Sequence, residues 1–125
     1  SLKMYCQRIS KKVINPKPKV NTKKISQSIS HIDADNSIGF VAADLAIKKA
    51  IQNAKKTGIG LIAVKNSGHY GLSGYYAEQA VKKNLMVMVF TNAPPAVAPH
   101  GALKSLFGTN PICLEHQPGL RYLLS

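Results

Sequence analysis

The stretch SIGFVAADLAIKKAIQNAKKTG, residues 37 to 58, constrains the fold more than any other part of the chain. Ala43, Ala46, Ile47, Ala50, Ile51 and Ala54 recur at three- and four-residue spacing and line one face of a helix over about 38–57. Asp44, Lys48, Gln52, Lys55 and Lys56 fall on the opposite face, toward water. An apolar stripe of that length has to be covered by another element, so the helix needs a sheet or a second helix against it. Gly58 supplies the stop. Asp35, Asn36 or Ser37 stands where a side chain can cap the first turn.

The segments around this helix read as strands and short helices. LKMYCQRISKK (2–12) has the pattern of a short helix, and Pro16 and Pro18 then force an extended connector. KKISQSISHID is a polar strand candidate in which Ile25, Ile29 and His31 roughly alternate, and DADNS at 33–37 reads as a turn. IGLIAVK (59–65) is a strand, a glycine-flanked loop around His69 follows, and a helix over about 72–83 turns Leu72, Tyr75, Tyr76 and Ala80 one way. LMVMVFT (85–91) is apolar on both faces, as buried parallel strands are. The order strand, helix, strand predicts a right-handed crossover with 59–65 and 85–91 as parallel neighbours. The twenty residues NAPPAVAPHGALKSLFGTNP (92–111) then form a long loop with four prolines and two glycines, before FGTNPICLE leads into one more strand.

Composition narrows the function classes. Hydrophobic residues make up 45% of the 125 and charged residues 18%, enough for a packed core. The longest apolar run, LMVMVF, is too short to span a bilayer. The net charge of +12 favours anionic ligands in general. The lysines come as scattered pairs, Trp is absent and there are two arginines, which fits a nucleic-acid reader poorly; a basic nucleic-acid-binding module is the rival this charge raises. Cys6 and Cys113 have no partners at metal-ligand spacing, so no metal site is expected, and free thiols in a reducing compartment are the reading for both. Ser1 and the apolar closing run LRYLLS give the chain two ends that read as cut.

Ligands of open α/β sheets collect at the carboxyl ends of parallel strands. His69 leaves the first strand of the expected crossover and Thr91 and Asn92 leave the second, so an imidazole and a carboxamide are expected at one rim. Gly68 and Gly71 let backbone approach a ligand closely, and the helix that follows offers free N–H groups to an anion. His31, His100 and His116 read as solvated or structural, and Tyr75 and Tyr76 as packing. No G-x-G-x-x-G and no P-loop occurs; Gly58–Ile59–Gly60 precedes a strand rather than a helix, and Asp33 and Asp35 sit in a turn.

IDADNSIGF, NSGHYGLSGYYAEQA, FTNAPPAVAPHG and FGTNPI, in this order and spacing, resemble the type II malate/L-lactate dehydrogenases, a group that includes sulfolactate, ureidoglycolate and diketogulonate dehydrogenases. The likeness runs from about Tyr5 to Pro118. It implies an α/β class with a mixed sheet flanked by helices, a non-Rossmann dinucleotide-binding fold with an extended N-terminal helical segment, and residues 1–18 as helix and proline connector ahead of a partial NAD(P)-binding domain at 19–125. It also implies hydride transfer between NAD or NADP and a small 2-hydroxy or 2-keto acid, in a cytoplasmic homodimer without membrane or nucleic-acid partners. By the same resemblance His69 is the proton-transfer residue or part of the nicotinamide site, Tyr70, Gly71 and Asn92 contact the cofactor, and Thr109 lies near the substrate. Hydride transfer to a carbonyl leaves an alkoxide that needs a proton, and imidazole is the side chain suited to giving and retrieving it. Ala102 replaces the second glycine of the group's P-x-G-G, Asn84 stands where a glycine often ends the preceding helix, and an upstream S-H-G segment with its arginine precedes Ser1 in the group. A catalytically inactive fragment or degenerate copy is therefore the second rival.

Overall fold

The computed structural model describes residues 2–117; Ser1 and residues 118–125, which include the closing run LRYLLS, lie outside the described residues. The chain divides into two compact units, Ser1–Leu72 and Ser73–Ser125.

The first unit holds α1 (Leu2–Ser10), β1 (Asn21–Lys24), β2 (Ile29–Ser37), α2 (Gly39–Thr57) and β3 (Leu61–Ser67). Its sheet runs β1-β2-β3, with β1 antiparallel and β3 parallel to β2, and is therefore mixed. α2 connects the two parallel strands and packs on both. Ser30, Ile32, Ala34 and Ser37 of β2 are buried. From the helix come Ala42, Ile47 and Asn53, also buried, and the expected Ala and Ile stripe is buried or half-buried throughout. Gly58 closes the helix with φ +84°, its N–H donating to the Ala54 carbonyl, as its position past the last turn predicts.

Several expectations change here. The crossover lies one step earlier than the sequence order led us to expect: β3 pairs with β2, and the strand at 87–90 belongs to a different sheet. The polar strand candidate covers Ile29–Asp33 of β2, but β2 runs on to Ser37 through DADNS, which looks like a turn, and takes β3 as its parallel partner. DADNS instead forms the bulged end of β2, where Asp35 and Asn36 take left-handed φ values of 48° and 54°, a conformation short polar side chains tolerate. The polar strand candidate is in fact a hairpin, with the Ser26 hydroxyl accepting from the Ser28 and Ile29 N–H groups at its turn. None of Asp35, Asn36 and Ser37 caps α2; the cap position is Ile38, without a side-chain hydrogen bond.

Asp35 does other work. One of its carboxylate oxygens accepts from Asn15 Nδ2 and from the Lys19 N–H, both at 2.9 Å, while the Asn15 N–H reaches the Asn36 carbonyl at 2.9 Å. The proline connector is thus tied to the bulge, and Ile14 beside it is buried. Asp33 is tied too: it accepts from Asn66 Nδ2 at 2.9 Å and from the Asp35 N–H at 3.1 Å, and pairs with Lys65 at 3.1 Å. The Asn66 hydrogen bond first, then those of Asp35 and Lys65, hold its carboxyl below the ordinary carboxylate value. The unfolded chain therefore binds the proton more readily, so this contribution is fully present above the ordinary carboxylate range and is lost as pH falls through the depressed value. Urea melts between pH 6 and 2.5 are expected to show an acid loss of stability that is smaller in Asp33→Asn than in the parent.

The second unit holds α3 (Ser73–Val81), β4 (Val87–Phe90) and β5 (Ile112–Glu115). β4 and β5 pair antiparallel, and α3 packs on both. Tyr76, Ala77 and Ala80 are its buried residues, whereas Leu72 is 81% and Tyr75 62% exposed, contrary to the one-sided helix face expected for them. β4 leaves Met88 and Phe90 more than half exposed, so only one of its faces is covered here. Asn84, where a glycine was noted as usual, adopts φ 60° and ends the turn after α3, its N–H donating to Val81 O. Among the described residues no helix is long and apolar enough to cross a membrane, and no group of three or more His, Cys, Asp or Glu is placed to hold a metal ion.

Candidate functional site

The carboxyl ends of β2 and β3 form a rim, and the loop leaving β3 begins there. Ser37 and Ser67 are register partners at the end of the two strands, and the Gly68 N–H donates to the Ser37 carbonyl at 3.2 Å. Gly39, the first residue of α2, is buried against this loop; a Cβ on it would run into the Gly68 carbonyl oxygen and the His69 backbone. The start of the crossover helix thereby fixes where the loop sits. His69 is two residues past the end of β3, as the expected order has it.

Tyr5 and Gly71 meet the imidazole, and Phe40 of α2 packs behind them. Tyr5 of α1 places its hydroxyl 2.8 Å from His69 Nδ1, and the Gly71 N–H approaches the same nitrogen at 3.3 Å. Tyr5 also meets Phe40 of α2 edge-on, with centroids 5.6 Å apart. Phe40 occupies the space beside Gly71: a Cβ there would lie 2.6 Å from the Phe40 ring, and Gly71 itself has φ +83°. A side chain at 71 is excluded both by the ring and by the backbone conformation. His69 is exposed and Tyr70 half-buried. Because a tyrosine hydroxyl can donate or accept, it can hold Nδ1 in either protonation state of the ring. With Nδ1 held in this way, Nε2 is the nitrogen that can exchange a proton with a ligand.

Asn92 and Thr109 lie in the second unit, on the paired segments beyond β4 and before β5. The Thr91 N–H donates to Pro111 O at 3.3 Å and the Ala93 N–H to Asn110 Oδ1 at 2.8 Å, so the flanks of Asn92 are stitched to the flanks of Thr109. Gly108 is packed so tightly on the Ala93 carbonyl that a Cβ would collide with it. Val97 and Phe107 form a further bridge within the long loop. The structure thus brings His69, Tyr70 and Gly71 together in one unit, and Asn92 and Thr109 together in the other. β3 and β4 are not sheet neighbours, which removes the pairing on which the single-rim expectation rested.

Sequence reasoning missed Tyr5 and Phe40. Tyr5 stands 64 residues before the imidazole it touches, and no local spacing marks that contact. Cys113, on β5, is half-buried; burial first, and then the Glu115 carboxylate, push its thiol above the usual cysteine value. It is a thiol held in its unreactive form. Iodoacetamide at pH 8 is expected to alkylate the exposed Cys6 first, with Cys113 slower by about tenfold or more; mass spectrometry of tryptic peptides over time checks this.

A sequence profile of the family described as malate/L-lactate dehydrogenase matches residues 1–116. The malate dehydrogenase of Pyrococcus abyssi is 42% identical over 113 residues, which cover 90% of this chain and 31% of that protein. The L-sulfolactate dehydrogenase of Methanocaldococcus jannaschii is 38% identical over 112 residues, covering 90% of this chain and 32% of that protein. Among solved structures, the malate dehydrogenase from Pyrococcus horikoshii OT3 superposes with a TM-score of 0.83 at 39% identity, over 92% of this chain and 33% of that one. The chain spans about a third of the length of the curated relatives it matches.

Proposed function

Because the chain belongs to the malate/L-lactate dehydrogenase family, we propose that it carries the proton-transfer part of an NAD(P)-dependent oxidoreductase acting on a small 2-hydroxy acid or the corresponding 2-keto acid. The observation that supports this most is the imidazole of His69, exposed at the carboxyl ends of two parallel strands and held through Nδ1 by the Tyr5 hydroxyl. In the oxidative direction, Nε2 of His69 takes the hydroxyl proton as the C2 hydrogen departs as hydride; in the reductive direction it returns that proton to the nascent alkoxide. Tyr5 positions the ring by accepting from Nδ1–H in both charge states of the imidazole, which sets the tautomer whose Nε2 exchanges the proton.

Tyr70, Gly71 and Asn92 are assigned to the cofactor, and Thr109 to the orientation of the substrate. The Tyr70 ring and the Gly71 backbone, kept bare of Cβ by Phe40, suit contact with a nicotinamide, and the Asn92 carboxamide is a group that can hydrogen-bond a carboxamide or a ribose. When bound, the nicotinamide accepts or delivers the hydride. Relatives include dehydrogenases named for NAD(+) and for NADP(+), and either cofactor fits this reading. The surplus of lysine favours an anionic carboxylate substrate. Residues 19–125 are then part of the NAD(P)-binding domain, with 1–18 as its N-terminal helix and connector, in a cytoplasmic homodimer.

Tyr5→Phe in the complete chain tests the arrangement around the imidazole. The ring stays, so the edge contact with Phe40 persists, while Nδ1 loses its hydroxyl. Turnover of NADH with a 2-keto acid is expected to fall by about tenfold, the size of one lost orienting hydrogen bond, with cofactor binding unchanged. Turnover equal to the parent's would remove Tyr5 from the mechanism.

A further inference from the structure

A cleft of about 320 Å³ opens in the first unit where β1, the start of β2 and the last turns of α2 meet. Lys24, Gln27, Ser30, Lys49, Asn53 and Lys56 line it, and no acidic residue does. Among the described residues none of the three lysines takes part in an ion pair; the acidic partners at Asp44, Asp33 and Glu78 go to Lys48, Lys65 and Lys82. Three ammonium groups around one concavity repel one another unless an anion sits between them.

The inner wall points the same way. Ser30 is fully buried, and its hydroxyl is the buried side-chain polar group that finds no hydrogen-bond partner among the described residues. A buried hydroxyl normally has a partner, and one that lacks it asks for an explanation such as a ligand. Its neighbour Asn53 is 6% exposed and donates to the Ser28 carbonyl at 3.2 Å, so the wall beside Ser30 is held in place. Thr57 adds to this, accepting from the Ser28 hydroxyl at 2.9 Å, with the Ile59 carbonyl at 2.8 Å and the Asn53 carbonyl at 3.1 Å sharing its own hydroxyl hydrogen.

We infer that this cleft binds a phosphate-bearing anion. Lysine ammoniums recognise phosphate as point charges, and a serine hydroxyl donates well to a phosphate oxygen. A volume near the lower end of small-molecule sites is more than a bare orthophosphate fills, which favours a pyrophosphate or a small phosphate ester. Ser30 pairs with Ile62 near the amino ends of β2 and β3, whereas His69 follows their carboxyl ends. At the usual rise per residue, seven positions separate Ser30 from Ser37 by roughly 20 Å. The cleft is therefore remote from the imidazole, and its occupant is an effector rather than the group that reacts there.

Isothermal titration of the complete chain with pyrophosphate tests this, at constant ionic strength and with malate as the carboxylate control. Saturable binding is expected, weakened by about tenfold or more in Lys49→Gln/Lys56→Gln, the effect of removing two charge-assisted contacts. Ser30→Ala, which deletes a single buried oxygen and keeps the lysines, is expected to weaken it by about threefold or more. Lys55→Gln/Lys83→Gln, which neutralises two exposed lysines outside the cleft, should leave it unchanged. Absence of saturable binding up to 10 mM pyrophosphate, or equal binding by malate, would overturn the proposal. Pyrophosphate seated at a dinucleotide site would be insensitive to the cleft variants, and attraction by overall charge would respond equally to both lysine pairs; either result also overturns it.

Discussion

His69→Ala in the complete chain is expected to lower NADH-linked turnover of a 2-keto acid by a factor of about 10³, within the range that a positioned general acid contributes, while NADH affinity stays within a few fold. The reason lies in how the ring is held. Tyr5 and the Gly71 N–H converge on Nδ1, so the side chain is oriented by its surroundings and does not itself hold them up. It is exposed, and its removal leaves no buried cavity. Stability should change little, which separates a lost proton donor from a lost fold. Stopped-flow absorbance at 340 nm measures the first quantity, and quenching or enhancement of NADH fluorescence the second.

The second large effect is on the scaffold. Gly39→Ala is expected to destabilise the first unit by about 2–4 kcal/mol, because overpacking against backbone cannot be relieved by turning a side chain. The added methyl would meet the Gly68 carbonyl and the His69 backbone, so α2 or the loop must move. Either movement shifts the imidazole from Tyr5. A chemical melt should show the loss of stability, and turnover measured well below the melting temperature should fall along with it. Gly58→Ala is the contrast: nothing lies near its Cβ, and only the left-handed φ of +84° opposes the change. That strain costs about 1 kcal/mol, and it leaves the rim alone.

The central helix was legible because its signal is local. Alanines and isoleucines at helical spacing, closed by Gly58, describe α2 to within a residue of its observed ends. Strand pairing was not local. LMVMVFT is the most strand-like segment of the chain, and it drew the crossover toward itself, whereas the strand that pairs with β3 is the polar ISHIDADNS. Its buried face carries only Ser30, Ile32, Ala34 and Ser37, too small and too polar to stand out. DADNS favours left-handed backbone, which serves a bulge as well as a turn. Which of the two forms depends on Asn15, Lys19 and Asn66, residues brought in by the fold.

The same holds for the candidate site. His69 could be found from its glycines and its place after a strand, and the order of the four motifs carried the family. Tyr5 and Phe40 could not, since their contacts span 64 and 31 residues. Leu72 and Tyr75 fit a helical stripe in sequence, but α3 buries Tyr76, Ala77 and Ala80 instead. Periodicity gives the spacing of a face and not which of two adjacent faces the rest of the unit covers.

Chemical rescue tests the proton-transfer role of His69 most directly. In the complete chain carrying His69→Ala, with NADH and a 2-keto acid present, added imidazole and its methylated analogues should restore turnover in proportion to their concentration, and more effectively for smaller bases. A folded variant that still binds NADH and turns over at the parent's rate, or that gains nothing from any added base, would contradict the assignment.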